Sequence, residues 1–271
     1  MARTGTRTAT VATLAVAGIV LLAIGATMTL AAWLTAAAAT APAERAPTTE
    51  AEIGASTRST SAGFVLWGMG SDGQPFRWDP CAPIDLVVND VGAPAGWRAD
   101  FDAAIEVIEA ASPARLRIAA STDEGPSPDR ASFQPDRYGD RWAPVLVAWA
   151  SADTFDVLRG HDRGVAIPVA VGATDTRVFV TGQVVFPRDR DDLQVGADDR
   201  AAAWRATFLH ELLHLLGLAH VDDADAMMHR YPGAGPIALS DGDRAGLKAV
   251  TSGDCITPPE PRHVRVNTLL P

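Results

Sequence analysis

Lysine is almost missing from this 271-residue chain: after residue 40 only Lys248 remains. Acidic residues outnumber basic ones 33 to 23, which gives a formal net charge of −10 and a pI near 5.0. No cluster of lysine or arginine stands out, so the surface repels phosphate backbones and nucleic acid is excluded as a partner. Internal repeats are absent, and the chain carries no phosphate loop, nucleotide fingerprint or nucleophilic triad.

Charge itself is missing from Val11 to Ala43, behind a short segment carrying Arg3 and Arg7. A basic start, an apolar run and small residues ("TAAAATAPA") make a secretory signal. The run is also long enough to span a bilayer as an uncleaved anchor. Residues 1–39 therefore read as a signal peptide or an N-terminal membrane anchor. Either leaves the arginines inside and the remainder outside the cytoplasm. This stretch also supplies much of the 47% hydrophobic content and the mean hydropathy of +0.06.

Large apolar residues are nearly absent from Thr40 to Ala62, so residues 40–62 form a flexible linker. Aromatics return with Phe64, Trp67, Phe76 and Trp78, and a packed domain is expected over 63–257. A surface tail, 258–271, opens on prolines. Cysteine is scarce as well. Cys81 and Cys255 lie 174 positions apart, and in an exported chain an even count points to a disulfide. Closing a loop of that length contributes roughly 5 kcal/mol in the chain-entropy model.

Within the domain, "PIDLVVND" is short and β-branched and predicts a strand over Ile84–Asn89. "GWRADFDAAIEVIEAA" sets Trp97, Phe101, Ile105 and Ile108 at helical spacing. Ala114–Ala120 and Pro144–Ala150 read as strands, and the polar segment between them as a long surface loop. "GVAIPVAVG" and "RVFVTGQVVFP" supply further strands, the second turning at Thr181-Gly182. Strands and helices in this order predict an α/β or α+β sheet with helices packed on it.

The chemistry lies in "HELLHLLGLAH", His210 to His220. Positions four apart share a helix face, so His210 and His214 present two imidazoles from adjacent turns, at the separation one zinc ion needs. Glu211, one step round, reaches a metal-bound water rather than the metal. A catalytic zinc keeps three protein ligands and one open position. A straight helix cannot deliver the third, but Gly217 can adopt a left-handed conformation and bend the chain so that His220 closes the site.

The pattern H-E-x-x-H-x-x-G-x-x-H is the metzincin signature, and the chain resembles a bacterial matrixin-like zinc metalloprotease, secreted or membrane-anchored. Met228 lies eight residues after His220, where the matrixins place a methionine turn, with the adjacent Met227 as second choice. Ser240 and Asp243 have capping-box spacing ahead of a final helix. The resemblance is sharp over Thr207–Val250 and architectural before it. It implies an α+β fold: a twisted mixed five-stranded sheet, a backing helix, the active-site helix and a C-terminal helix. It also implies one catalytic zinc on His210, His214 and His220, Glu211 as general base, Met228 as structural support, and a peptide or protein substrate.

A tyrosine two residues past the turn methionine is an extra ligand in astacins. Tyr231 stands at plus three, and His229 also follows the turn closely. His161 is left unassigned. Calcium finds no EF-hand pattern, and solvation explains the acidic runs better. In vertebrate matrixins a cysteine in a Pro-Arg-Cys-Gly context caps the zinc. Cys81 lacks that arginine and glycine, which favours a disulfide to Cys255. The chain is expected to be a monomer, touching membrane only through its N-terminal segment. The competing reading is a catalytically silent, membrane-anchored binding module that retains the zinc site.

Overall fold

The computed structural model describes residues 51–52, 63–160, 163–173, 177–188, 197–230, 237–262 and 266–267. The expected signal or anchor and nearly all of the expected linker lie outside them. Among the described residues no helix is long and apolar enough to cross a membrane.

In chain order the domain contains β1 (Val65–Leu66), β2 (Ile84–Asn89), α1 (Trp97–Ala111), β3 (Leu116–Ser121) and β4 (Val145–Ala150). There follow β5 (Val165–Val171), β6 (Val178–Pro187), α2 (Ala197–Leu216), β7 (Leu218–Ala219) and α3 (Asp241–Thr251). Five strands form one mixed sheet in the order β3-β2-β4-β6-β5. All pairings are parallel except that of β5, the edge strand, which runs antiparallel to β6. This is the α+β arrangement with a mixed five-stranded sheet that the resemblance implies.

The period-2 alternation of a strand sends successive side chains to opposite faces. Leu86, Val88, Val145, Val147 and Trp149 face α1 and α2 within the main core. Helix α1 contributes Phe101, Ala104, Ile105 and Ile108, all buried at the i, i+3, i+4, i+7 spacing of one helix face. An aromatic cluster then fixes α2 to the sheet. The Phe208 ring lies 4.8 Å from Phe186 of β6, 5.3 Å from Phe101 of α1 and 5.2 Å from Trp204 of α2. Such pairs add about 0.5–1.5 kcal/mol each beyond burial. Phe208 precedes His210 by two residues, so the cluster sets the height of the helix where its functional residues begin.

The opposite face carries Val87, Leu146 and Ala148, with Tyr138 packed against them. Tyr138 belongs to the segment between β3 and β4, which polar composition predicts to be a surface loop. Part of that segment is instead buried, because its charges neutralise each other. Arg130 Nε donates to Glu124 at 2.9 Å, with side chains only 5% and 10% exposed. The guanidinium also donates to Thr181 Oγ1 and to the carbonyls of Gly182 and Pro144.

The expected turn at Thr181-Gly182 is absent: β6 runs unbroken through both residues. A Cβ on Gly182 would lie 2.7 Å from the Ile167 carbonyl oxygen and 3.2 Å from Leu215 Cδ1. The glycine marks a close approach of β5 and α2, not a change of direction.

Cys81 and Cys255 are joined by a disulfide with Cα atoms 5.3 Å apart, just before β2 and just after α3. Asp79 Oδ1 accepts the main-chain N–H of both Cys81 and Ile256 at 3.0 Å. The bond points to an oxidising compartment. It also removes Cys81 as a cap for the histidine site. The start of the C-terminal tail lies on the surface, tied down where Trp142 Nε1 donates to the Pro259 carbonyl at 2.9 Å.

Candidate active site

Helix α2 ends at Leu216 because Gly217 takes φ +114°, outside the range L side chains favour. Gly217 N–H closes a last tight turn on the His214 carbonyl, and its own carbonyl accepts Trp67 N–H at 2.8 Å. The chain leaves the helix as β7, which pairs antiparallel with β1, and His220 follows immediately. Trp78 Nε1 donates to the Leu215 carbonyl at 2.8 Å, satisfying one of the orphan acceptors at the helix end.

The bend brings three imidazoles together. His210 Nε2 lies 3.1 Å from His214 Nε2 and 3.2 Å from His220 Nε2, and the third side of the triangle is also 3.2 Å. Hydrogen bonds on the far sides of two rings fix where their protons sit. His210 Nδ1 donates to the Met227 carbonyl at 2.7 Å, and His214 Nδ1 to the Leu218 carbonyl at 2.8 Å. With the proton on Nδ1, each neutral ring presents a bare Nε2 lone pair to the other. Burial pushes the His210 pKa down to about 4; the bond to Met227 works against this, and the charges of Arg163 and His229 add to it. Two lone pairs at 3.1 Å repel unless a cation lies between them. Tetrahedral zinc, with bonds of about 2.0–2.1 Å, needs its nitrogens roughly 3.3 Å apart. The triangle fits a metal ion, and these three histidines form a group able to hold one.

Glu211 is buried at 3% exposure beside this triangle in the chain. The two methionines are buried in the core, Met228 at 1% exposure and Met227 at 6%. Their main chain does the connecting. The Met227 carbonyl receives His210, and the Met228 carbonyl accepts Val221 N–H at 3.0 Å, one residue past His220. Both methionine N–H groups donate to the Asp243 carboxylate, at 2.8 and 3.2 Å. Asp243 also completes the capping box of α3 with Ser240. The capping box is readable from the sequence, whereas the bonds to Met227 and Met228 are not, because those partners lie 16 and 15 residues away.

His229 follows the methionine pair and is half-buried, but it does not belong to the histidine triangle. Tyr231 and His161 lie outside the described residues.

No protein-family model matches the chain, and no curated protein does. Among solved structures it is similar to high choriolytic enzyme 1, a hatching enzyme zinc-protease from the medaka fish Oryzias latipes. That likeness has a TM-score of 0.33 and 11% identity, over 72% of this chain and 97% of the other. The chemistry of the site therefore rests on its own geometry.

Proposed function

We propose that the chain is a zinc-dependent endopeptidase of the metzincin type, matrixin-like in its methionine turn, that hydrolyses peptide bonds outside the cytoplasm. The observation that carries this reading is the triangle of Nε2 atoms, two of them held as bare lone pairs, with a buried glutamate one residue along the same helix. His210, His214 and His220 would hold the metal. When bound, zinc supplies Lewis acidity, acidifying water and polarising a scissile carbonyl. Glu211 is the general base: its carboxylate takes the proton of the attacking water and returns it to the leaving amine nitrogen. The Met227–Met228 turn orients His210 from behind, and Met228 is a support rather than a ligand. The enzyme acts as a monomer on peptide or protein substrates.

The test is cleavage of a mixed peptide library by the full-length chain, beside Glu211→Ala and beside chelator-treated protein. Cleavage that disappears in both controls supports the peptidase. A folded, zinc-loaded wild type that cleaves nothing would favour a membrane-anchored binding module instead.

A further inference from the structure

Gly164 is buried and directly precedes the edge strand β5. It is not among the glycines with positive φ, so backbone conformation does not demand glycine there. Space does. A Cβ at this position would lie 2.9 Å from Glu211 Cγ and 3.2 Å from Glu211 Cδ, with Phe186 Cδ1 at 3.0 Å. Phe186 cannot give way easily: it is fully buried, and its ring is 4.8 Å from Phe208 and 5.5 Å from Trp149. The main chain of Glu211 is held within α2 between Leu209 and Leu212, both fully buried. The group that gives way is the Glu211 side chain, whose Cγ is the nearest atom to the added Cβ.

We infer that Gly164 is a positioning residue for Glu211: the missing side chain is the space in which the carboxylate is held toward the histidine triangle. The inference rests on the peptidase reading for its functional consequence, but its steric part stands without it. A single methyl at 164 rotates the glutamate away from its working position while leaving the three histidines untouched. A displacement on the order of 1 Å at a reacting group costs about 100-fold in rate. Because the group acts on the reacting water rather than on substrate binding, the loss falls on kcat and not on KM.

The experiment is a double-mutant cycle on the full-length, zinc-loaded chain: wild type, Gly164→Ala, Glu211→Ala and the double variant. The expected result for Gly164→Ala is wild-type zinc stoichiometry, KM unchanged and kcat lower by about 100-fold. Its unfolding midpoint falls by about 3 °C or more, and most of that fall vanishes in the Glu211→Ala background, where Cγ and Cδ are gone. Wild-type kcat in Gly164→Ala overturns the inference. So does an equal midpoint penalty in both backgrounds, which would mean that Phe186 or main chain opposes the methyl. Should Gly164→Ala fail to fold, folding of the double variant supports the inference and failure of both overturns it. If wild type cleaves nothing, the peptidase reading fails alone. The stability cycle then still decides whether Gly164 sets the position of Glu211.

Discussion

The Nδ1–H of His210 donates to the main-chain carbonyl of Met227 at 2.7 Å, across 17 residues of chain. The bond fixes the tautomer and ring plane of the histidine, and it makes the orientation of His210 within the triangle depend on a turn outside its helix. The turn in turn depends on Asp243, whose carboxylate holds both Met227 and Met228 N–H. Asp243→Asn keeps the shape but replaces one acceptor oxygen with a donor. Outer contacts of this kind typically cost 10–100-fold in metal affinity when lost. We expect Asp243→Asn to weaken zinc by about that factor in a chelator competition, with stability lower by roughly 1–3 kcal/mol. Unchanged zinc affinity would mean that the turn does not need Asp243 to orient His210.

Glu211→Gln separates metal binding from chemistry. The side chain keeps its length and shape, but the amide cannot accept a proton. Zinc content measured by elemental analysis should match wild type, while turnover falls by about 10²–10⁴. Loss of zinc in this variant would make Glu211 part of the metal site instead of its base.

Gly217 is needed twice over. Its φ of +114° disfavours any side chain, and an added Cβ would lie 3.1 Å from the Phe179 ring and 3.3 Å from the Phe76 carbonyl oxygen. Gly217→Ala should destabilise the domain by about 1–3 kcal/mol. It should also weaken zinc, because His220 reaches the triangle only through this bend. Thermal unfolding with and without added zinc measures both effects; a variant with normal stability and normal zinc affinity would contradict the hinge.

Much of this site was legible in residue spacing. His210 and His214 follow from helical periodicity, and Gly217 before His220 follows from the need to turn a helix back on itself. The strand Ile84–Asn89 and the helix around Phe101, Ile105 and Ile108 were legible for the same reason: one buried face leaves a period in the sequence. What was not legible depends on contacts distant in sequence. Nothing local to Asp243 announces that it serves Met227 and Met228 as well as its own helix. Thr181-Gly182 has the composition of a turn, yet the glycine answers to the Ile167 carbonyl and Leu215. The segment around Glu124 and Arg130 has the composition of a solvated loop, and only their pairing lets it be buried.

That pairing gives a prediction in which stability and function part company. Burial pushes the Glu124 carboxyl up. The hydrogen bond and charge of Arg130, joined by Tyr138 and Gln134, outweigh it and hold the group below its ordinary value of 4.5. With a depressed value in the folded chain, the unfolded chain binds the proton first as pH falls. The contribution is therefore complete above the ordinary value and drains away as pH drops through it toward the folded value. Glu124→Gln removes the charge and leaves Arg130 buried without its partner, a loss of about 3–5 kcal/mol at neutral pH. Urea unfolding from neutral to acid pH should show a shallower acid decline for the variant than for wild type. The network grips β6 through Thr181 and Gln183, on the sheet face opposite α2. Zinc affinity should accordingly be unchanged. A fall in zinc affinity would show that strain in β6 passes through the sheet to α2, where Gly182 and Leu215 meet.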